Sequence, residues 1–204
     1  RMDLFVGSGP ASLILGDNIF YGHGLPEHLA AGRARTQGAT VFAYQVADPN
    51  RYGVLGFDKS GRATSIEEKP REPRSDWAVT GLYMYDNRVL DYARSIRPSA
   101  RGELEITDLN RLYLEAGALH VEKLGRGFAW LDTGTFDSLL DANDYVATLE
   151  RRQGLKVCCP EEVALRQGFL TAAEMAPWLD RLGKSAYADY IRRLIRHLSE
   201  ERQA

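Results

Sequence analysis

The chain has 204 residues, of which 44% are hydrophobic and 26% charged, so it can build a buried core of normal size. Its formal net charge of −2, with both signs spread along the sequence, argues against a nucleic-acid-binding surface or a polybasic membrane patch. No apolar run is long enough to span a bilayer, and the first ten residues lack the pattern of a secretory signal. The neighbouring Cys158 and Cys159 favour two reduced thiols in a cytoplasmic protein.

Strand and helix patterns alternate over the first two thirds of the chain. Continuous apolar runs predict buried strands, and apolar positions at helical spacing predict helices. The predicted strands are residues 11–15, 39–46, 77–86, 119–125 and 127–132, and residues 52–70 predict a β-hairpin with its turn at 58–61. The predicted helices of this part are residues 25–38, 88–96 and 106–117.

Beyond Asp132 only helical patterns remain, in residues 136–154, 160–168, 171–183 and 185–201. We therefore expect an α/β layer on a mixed sheet over residues 1–135 and a helical appendage over residues 136–204. An apolar stripe in the last helix is expected to pack either against its own domain or against another subunit. Its members are Tyr187, Tyr190, Ile191, Leu194 and Ile195.

Three charged groups follow predicted strands, where open α/β sheets collect their ligands. Asp17 ends "SLILGD", Glu68 and Lys69 end "TSIEEKP", and Asp132 ends "FAWLD". A lone aspartate in such a place is often a turn residue, but two carboxylates without a His or Cys cluster suit Mg²⁺. Lys69 is then either a cation that faces a phosphate oxygen or a solvated lysine beside a proline.

Two further segments could contact a ligand. Arg101, beside a glycine, is either a phosphate clamp or a surface charge. Tyr52 and Gly53 offer an aromatic face beside backbone, which suits a sugar or a base but equally a strand start. From spacing alone, the sequence predicts a Mg²⁺-dependent α/β protein that handles a phosphorylated small molecule.

Five segments resemble the sugar-nucleotide pyrophosphorylase family, in its order and spacing. They are "LILGDNIFYGHG", "FAYQVADPNRYGVLGFD", "SIEEKPREPRSDWAVTGLYMYD", "SARGELEITDLNRLYLEAGAL" and "GRGFAWLDTGTFDSLLDA", and "ERRQGLKVCCPEEVALRQGFL" extends the resemblance through the tail. The resemblance is strongest to the branch that joins dTTP and glucose 1-phosphate into dTDP-glucose and pyrophosphate. It implies a mixed-sheet, Rossmann-like α/β nucleotide-diphospho-sugar transferase fold, N-terminally truncated, with a C-terminal helical appendage.

The resemblance also implies roles for single residues. Asp17 and Asp132 would hold Mg²⁺, with Asn18 adjoining, while Lys69 and Arg101 would be the catalytic cations that receive the sugar phosphate. Glu68 would bind glucose hydroxyls, Gly53 and Val79 would line the sugar site near Tyr52, and Trp130 would pack beside the metal aspartate. The family implies a homotetramer without an organic cofactor. It also implies a place at the start of dTDP-rhamnose synthesis, inhibition by the end product, and subunit and regulatory contacts in the tail.

Family members carry a glycine-rich loop of the type G-G-x-G-T-R-L, which cradles the triphosphate, and the 204 residues contain no such sequence. We therefore expect this chain alone not to make dTDP-glucose and to expose apolar strand edges. Two alternatives stay open. One is a catalytically dead fragment that binds sugar phosphate or only forms oligomers. The other is a uridylyl-, cytidylyl- or adenylyltransferase relative.

Overall fold

The computed structural model describes residues 6–201. Within them, six strands form one mixed sheet and two short strands form a second sheet. The strands of the large sheet are β1 (Ala11–Ile14), β3 (Ala39–Gln45), β4 (Gly53–Phe57), β5 (Ala63–Glu68), β6 (Trp77–Tyr85) and β7 (Leu119–Leu124). The small sheet pairs β2 (Asn18–Tyr21) with β8 (Ala129–Asp132) in antiparallel fashion.

The centre of the large sheet is β6, the longest strand. Strand β3 pairs with β6 along one edge and with β7 in parallel on its own far side. The other edge of β6 is shared, because Val54 of β4 pairs with Ala78 and Ile14 of β1 pairs with Leu82. Residues 79–81 between these pairs have no ladder partner in either strand, although the Leu15 N–H, directly after β1, donates to the Gly81 carbonyl at 2.8 Å. The sheet is therefore split on this edge, between the end of β1 and the start of β4.

Both faces of the large sheet are covered, which explains why β3 reads as a continuous apolar run. On one face, Val41 and Ala43 pack in a core with Leu109 and Tyr113 of a helix. On the other face, Phe42 packs with Leu82 and Leu124, and Leu29 of a second helix covers them. The helices of this part are α1 (Leu25–Ala34), α2 (Val89–Ser95) and α3 (Ile106–Glu115), and residues Pro49–Arg51 form a single 3₁₀ turn.

The chain divides into two compact units between Leu139 and Leu140, compared with the expected boundary at 135/136. Helical elements fill the rest of the chain: α4 (Phe136–Gln153), α5 (Pro160–Arg166), α6 (Ala172–Leu182) and α7 (Ala186–Glu201). The apolar stripe of α7 packs within the second unit, in a core with Leu165, Met175 and Leu179. The stripe thus packs against its own unit, which is the first of the two expected arrangements. Cys158 and Cys159 are free thiols, the first exposed and the second buried.

Two local predictions need correction. The first helix ends at Ala34 instead of residue 38, because Gly38, at φ +89°, leads into β3 with its backbone tight against the Ala118 carbonyl. Strand β2 is absent from the sequence prediction, since four residues directly after a turn give too short a pattern to recognise.

Strand β1 pairs only with β6 in the described residues, and Ile14 at its end is 59% exposed. No helix within residues 6–201 could cross a bilayer.

Candidate functional site

A cavity of about 270 Å³ opens at the split edge of β6. Alternate residues of β6, which share one side of a strand, form its floor. The register between β3 and β6 shifts here, and such a bulge often re-aims the backbone beside a site. The residues that line the cavity are Leu15, Asp17, Asn18, Arg51, Tyr52, Gly53, Glu68, Lys69, Val79, Gly81, Tyr83, Ile106, Thr107, Trp130 and Asp132.

Two separate segments bring Asp17 and Asp132 together. Asp17 lies in the turn after β1, which closes by a hydrogen bond from the Asn18 amide to the Leu15 carbonyl at 3.2 Å. Asp132 ends β8, and its register partner across the small sheet is Asn18. The next residue, Thr133, donates its backbone N–H to the Asp17 carbonyl at 2.9 Å. The small sheet therefore carries both carboxylates to one wall of the cavity.

The side-chain amide of Asn18 fixes the direction of the Asp17 carboxylate. Its Oδ1 accepts hydrogen bonds from Trp130 Nε1 at 2.6 Å and from the Gly81 backbone N–H at 2.9 Å. Because both are donors, the oxygen must face them, and Nδ2 donates to Asp17 Oδ1 at 2.8 Å. Trp130, only 8% exposed, thus acts on the aspartate through Asn18. The structure places Asn18 as an orienting group.

Both carboxylate oxygens of Asp132 have protein partners. The Tyr52 hydroxyl donates to Oδ1 at 3.2 Å, and Arg51 Nη2 lies 3.3 Å from Oδ2. Burial, and after it the negative charge of Asp132, raise the pKa of the Tyr52 phenol above its usual value. Tyr52 therefore remains a donor at neutral pH. These two contacts hold the Asp132 carboxylate in one orientation at the cavity wall.

The donor set of this wall fits a hard divalent cation. Asp17 and Asp132 are oriented carboxylates in a cavity open to solvent, and Mg²⁺ commonly takes one or two carboxylates and completes its shell with water and phosphate oxygens. Among residues 6–201, no three or more His, Cys, Asp and Glu side chains converge into a larger metal cluster. A site of this kind would hold its cation weakly until a substrate phosphate adds oxygens.

A second part of the cavity is built around Glu68, the last residue of β5. Thr107 Oγ1 donates to Glu68 Oε2 at 2.5 Å and so turns this carboxylate into the cavity. Gly53 pairs with Glu68 in the hairpin, and a Cβ there would stand 2.9 Å from the Thr107 hydroxyl. Only glycine therefore leaves the carboxylate and hydroxyl in place. This part offers a carboxylate acceptor beside open backbone, which suits a polyhydroxylated ligand.

Lys69 is held by its backbone in an unusual conformation. Its φ is +43°, a left-handed value that costs a side-chain-bearing residue about 1–2 kcal/mol. Its N–H donates to the Tyr52 carbonyl at 2.9 Å, which ties the residue to the start of β4. Strain of this kind often accompanies functional positions. The exposed Lys69 side chain thus starts from a fixed point at the cavity rim.

We expect the Lys69→Gly variant to be more stable than Lys69→Ala by about 1 kcal/mol, because glycine adopts positive φ without the steric cost. Urea unfolding of both variants measures the difference in the free energy of unfolding. The same two substitutions at Lys59, whose φ is not positive, serve as the control and should not favour glycine. Equal stabilities of the two Lys69 variants would contradict the strain.

Arg101 lies beside the cavity and does not line it. Its Nη2 is 2.8 Å from Glu105 Oε1, 3.3 Å from Glu103 Oε2 and 3.7 Å from Glu68 Oε1. The hydrogen bond from Arg101, and after it that from Ser99, hold the pKa of Glu105 below its usual value. The guanidinium thus sits among three carboxylates, one of which belongs to the cavity.

The sequence interpretation did not name six cavity residues: Leu15, Arg51, Gly81, Tyr83, Ile106 and Thr107. Arg51, Tyr83 and Thr107 are the ones with polar side chains. Burial, then the Glu68 and Asp17 carboxylates, raise the pKa of the Tyr83 phenol, so it stays neutral. Position 83 follows Val79 at strand period, a signal that could have placed it in the site. Thr107 and Arg51 have no such local signal, because each contacts a carboxylate far away in sequence.

Comparisons with known proteins identify the family of the chain. The family "Nucleotidyl transferase" matches residues 2–148. A glucose-1-phosphate thymidylyltransferase of Xanthomonas campestris pv. campestris (strain B100) is 57% identical over 187 residues, which are 92% of this chain and 63% of that protein. A glucose-1-phosphate thymidylyltransferase of Neisseria gonorrhoeae is 54% identical over 191 residues, which are 94% of this chain and 66% of that protein. The chain thus spans just under two thirds of the length of these relatives.

A crystal structure agrees as well. It is that of a Bacillus anthracis protein described as a glucose-1-phosphate thymidylyltransferase, in complex with sucrose. It is 43% identical, covers 70% of this chain and 56% of that one, and has a TM-score of 0.62. The predicted mixed-sheet nucleotide-diphospho-sugar transferase fold is confirmed. With its fold, its family match and its relatives in agreement, the chain belongs to the nucleotidyl transferase family.

Proposed function

We propose that this chain supplies the metal and sugar-phosphate half of a glucose-1-phosphate thymidylyltransferase, which joins dTTP and glucose 1-phosphate into dTDP-glucose and pyrophosphate. The observation that carries the proposal is the convergence of Asp17, Asp132, Glu68 and Lys69 on one cavity. Support comes from relatives named glucose-1-phosphate thymidylyltransferase, which are 50–57% identical to this chain.

The reaction needs positioning and charge neutralisation more than covalent chemistry. A phosphate oxygen of the sugar phosphate attacks the α-phosphorus of dTTP, and the bond from that phosphorus to the leaving pyrophosphate oxygen breaks. We propose that Lys69 and Arg101 receive the sugar phosphate as cations. Asp17 and Asp132 would hold Mg²⁺, which when bound supplies positive charge to the crowded phosphate oxygens.

The sugar would bind beside Glu68. Glu68 accepts hydrogen bonds from ring hydroxyls, and Gly53 and Val79 leave room for the ring to approach the backbone. Trp130 and Tyr52, with ring centroids 4.9 Å apart, form an aromatic wall of the kind that packs against the apolar faces of sugars. Asn18 would act through Asp17, as its hydrogen bonds indicate.

We expect Thr107→Val to lower the affinity for glucose 1-phosphate about tenfold, because a hydrogen bond to a charged group contributes about 1.5–3 kcal/mol. Valine keeps the shape of threonine but cannot orient the Glu68 carboxylate. Isothermal titration calorimetry in Mg²⁺ measures the affinity. Thr107→Ser retains the hydroxyl and is the matched control. Wild-type affinity in the valine variant would contradict this role.

The proposed function is tested with two assays on the purified chain. Calorimetric titration with glucose 1-phosphate, with and without Mg²⁺, should show binding that Mg²⁺ strengthens. A coupled pyrophosphate-release assay with dTTP should show no turnover, because the chain contains no G-G-x-G-T-R-L sequence to cradle the triphosphate. Absence of sugar-phosphate binding would overturn the proposal, and turnover near that of a relative would overturn the expected inactivity.

The same experiments separate the alternatives. Binding without turnover favours a sugar-phosphate-binding half of the enzyme, whereas no binding leaves only an oligomer-forming role. Among the bases, thymine is favoured over uracil, cytosine and adenine, because the relatives are named thymidylyltransferases. This preference rests on overall similarity, because none of the 204 residues is assigned to read the base.

We further propose the remaining family properties for this chain: a homotetramer, a place at the start of dTDP-rhamnose synthesis, and allosteric inhibition by the end product. Exposed apolar side chains near the start of α4 support subunit contacts, since Phe136 is 89% exposed and Leu139 and Leu140 are also exposed. Multi-angle light scattering tests the tetramer. The free Cys158 and Cys159 thiols support a cytoplasmic location.

A further inference from the structure

Arg51 has no role in the proposed function so far, although it lines the same cavity. It ends the 3₁₀ turn Pro49–Arg51, which the Tyr52 N–H closes by donating to the Pro49 carbonyl at 3.1 Å. From this fixed backbone its guanidinium reaches across the cavity wall to Asp132 Oδ2, at 3.3 Å. The two partners are 81 residues apart in sequence.

Four arginine pairs of the described chain join residues three or four apart on helices. Arg51 instead reaches a carboxylate of a distant segment, as Arg35 does with Glu122. The Arg51 pair uses a carboxylate that is only 23% exposed and faces a ligand cavity. The guanidinium also lies 5.5 Å from the centroid of the Tyr52 ring. Arg51 itself is 43% exposed, so its long side chain can leave Asp132 and remain inside the cavity mouth.

A divalent cation and the Arg51 guanidinium would compete for the same carboxylate. Asp132 Oδ1 receives the Tyr52 hydroxyl and Oδ2 faces Arg51, so every approach to Oδ2 must displace the guanidinium or stand beside its positive charge. Repulsion between the two cations would then favour movement of Arg51 away from Asp132. A freed guanidinium can bind an anionic phosphate in the same cavity in a bidentate way.

We propose that Arg51 is an internal counter-ion of Asp132, which a divalent cation displaces, and that the displaced guanidinium then binds the phosphate of the sugar substrate. The inference rests on the proposed function, because it assumes the metal and sugar-phosphate site. It makes Arg51 a coupling residue: metal binding releases a phosphate-binding cation, and by linkage phosphate binding favours the metal. The cavity has three lining carboxylates and two lining cations, Arg51 and Lys69.

The test is a pair of titrations on the whole chain. Mn²⁺ binding without sugar phosphate is measured by electron paramagnetic resonance of the free ion. Glucose 1-phosphate binding is measured by calorimetry with and without Mg²⁺. The Arg51→Gln variant should bind Mn²⁺ about three- to tenfold more tightly, because its competitor is gone. The same variant should bind glucose 1-phosphate in Mg²⁺ about tenfold more weakly, because the released cation is missing.

The opposite signs of these two effects are the signature of the proposal, since local unfolding would weaken both. Arg51→Lys keeps a charge without the bidentate fork and should fall between wild type and Arg51→Gln. Arg62→Gln, which removes the same charge from the exposed hairpin turn, is the matched control. Circular dichroism melting checks that each variant folds.

Each outcome decides between the two proposals. Weaker or unchanged Mn²⁺ binding by Arg51→Gln, with a wild-type chain that binds Mn²⁺ and sugar phosphate, would overturn the role of Arg51 and leave the proposed function standing. A wild-type chain that binds neither would overturn both. Equal strengthening of sugar-phosphate binding by Mg²⁺ in wild type and Arg51→Gln would also overturn the coupling.

Discussion

Asp132→Asn is expected to lower Mn²⁺ affinity by at least about 100-fold. The substitution keeps the size and the register of the side chain but removes the negative charge that would face the cation. Two unit charges 4 Å apart interact by about 4 kcal/mol near a protein surface, and a divalent ion would feel more, less its cost of dehydration. Tenfold in affinity corresponds to about 1.4 kcal/mol, so a 100-fold loss needs only part of that energy. Titration with Mn²⁺ measures the affinity of the variant and of the wild-type chain.

The stability of the Asp132→Asn variant should change little, because the pair with Arg51 is partly exposed and such pairs contribute at most about 1 kcal/mol. Asp91→Asn removes the same charge from an exposed position on α2 and is the control for net charge. Mn²⁺ binding by Asp132→Asn within threefold of wild type would show that Asp132 is not a metal ligand.

Gly81→Ala is expected both to destabilise the fold and to weaken the metal site. A Cβ at position 81 would stand 2.5 Å from Asn18 Oδ1 and within 2.8 Å of the other atoms of that amide group. Forcing an extra methyl group into a packed site costs about 1–3 kcal/mol. The amide would have to leave Trp130 and Asp17, and loss of such an orienting contact lowers metal affinity about 10–100-fold.

Urea unfolding and Mn²⁺ titration together test this prediction. Gly134→Ala is a demanding control, because it lies beside Asp132 but its Cβ would meet nothing closer than Asp132 Oδ2 at 3.7 Å. We expect the control to retain wild-type stability and affinity within experimental error. If Gly81→Ala behaves like Gly134→Ala, the Asn18 amide does not orient Asp17 as described.

The sequence predicts the large strands and the two aspartates because those signals are local. Buried strands read as apolar runs, as in β3, and each aspartate stands at the end of a short apolar run of the sequence. The position of Asp17 is compatible with both interpretations of that residue, and its role as a metal ligand stays a prediction. Asp17 occupies a turn, as an isolated aspartate often does, and its side chain also faces the cavity.

The partners of those aspartates could not be predicted, because they come from distant segments. Nothing near Arg51 in the sequence points to Asp132, and nothing near Thr107 points to Glu68. Both contacts exist because the small sheet and the helix α3 pack against the faces of the large sheet. Strand β2 was missed for a related reason: its four residues become a strand only through pairing with β8.

The number of β6 residues between its pairs with β4 and β1 sets the length of the binding cleft. Val54 of β4 pairs with Ala78, and Ile14 of β1 pairs with Leu82. The length of the β6 segment between these pairs therefore determines the distance between the two strands that border the cleft. Two residues inserted into this segment would lengthen the cleft by about 7 Å and keep every side chain on its face, provided that β3, which pairs with the other edge of β6, is extended to match. A single insertion would turn the cavity floor toward the opposite core. Ligands of different length would therefore be accommodated by insertions in pairs.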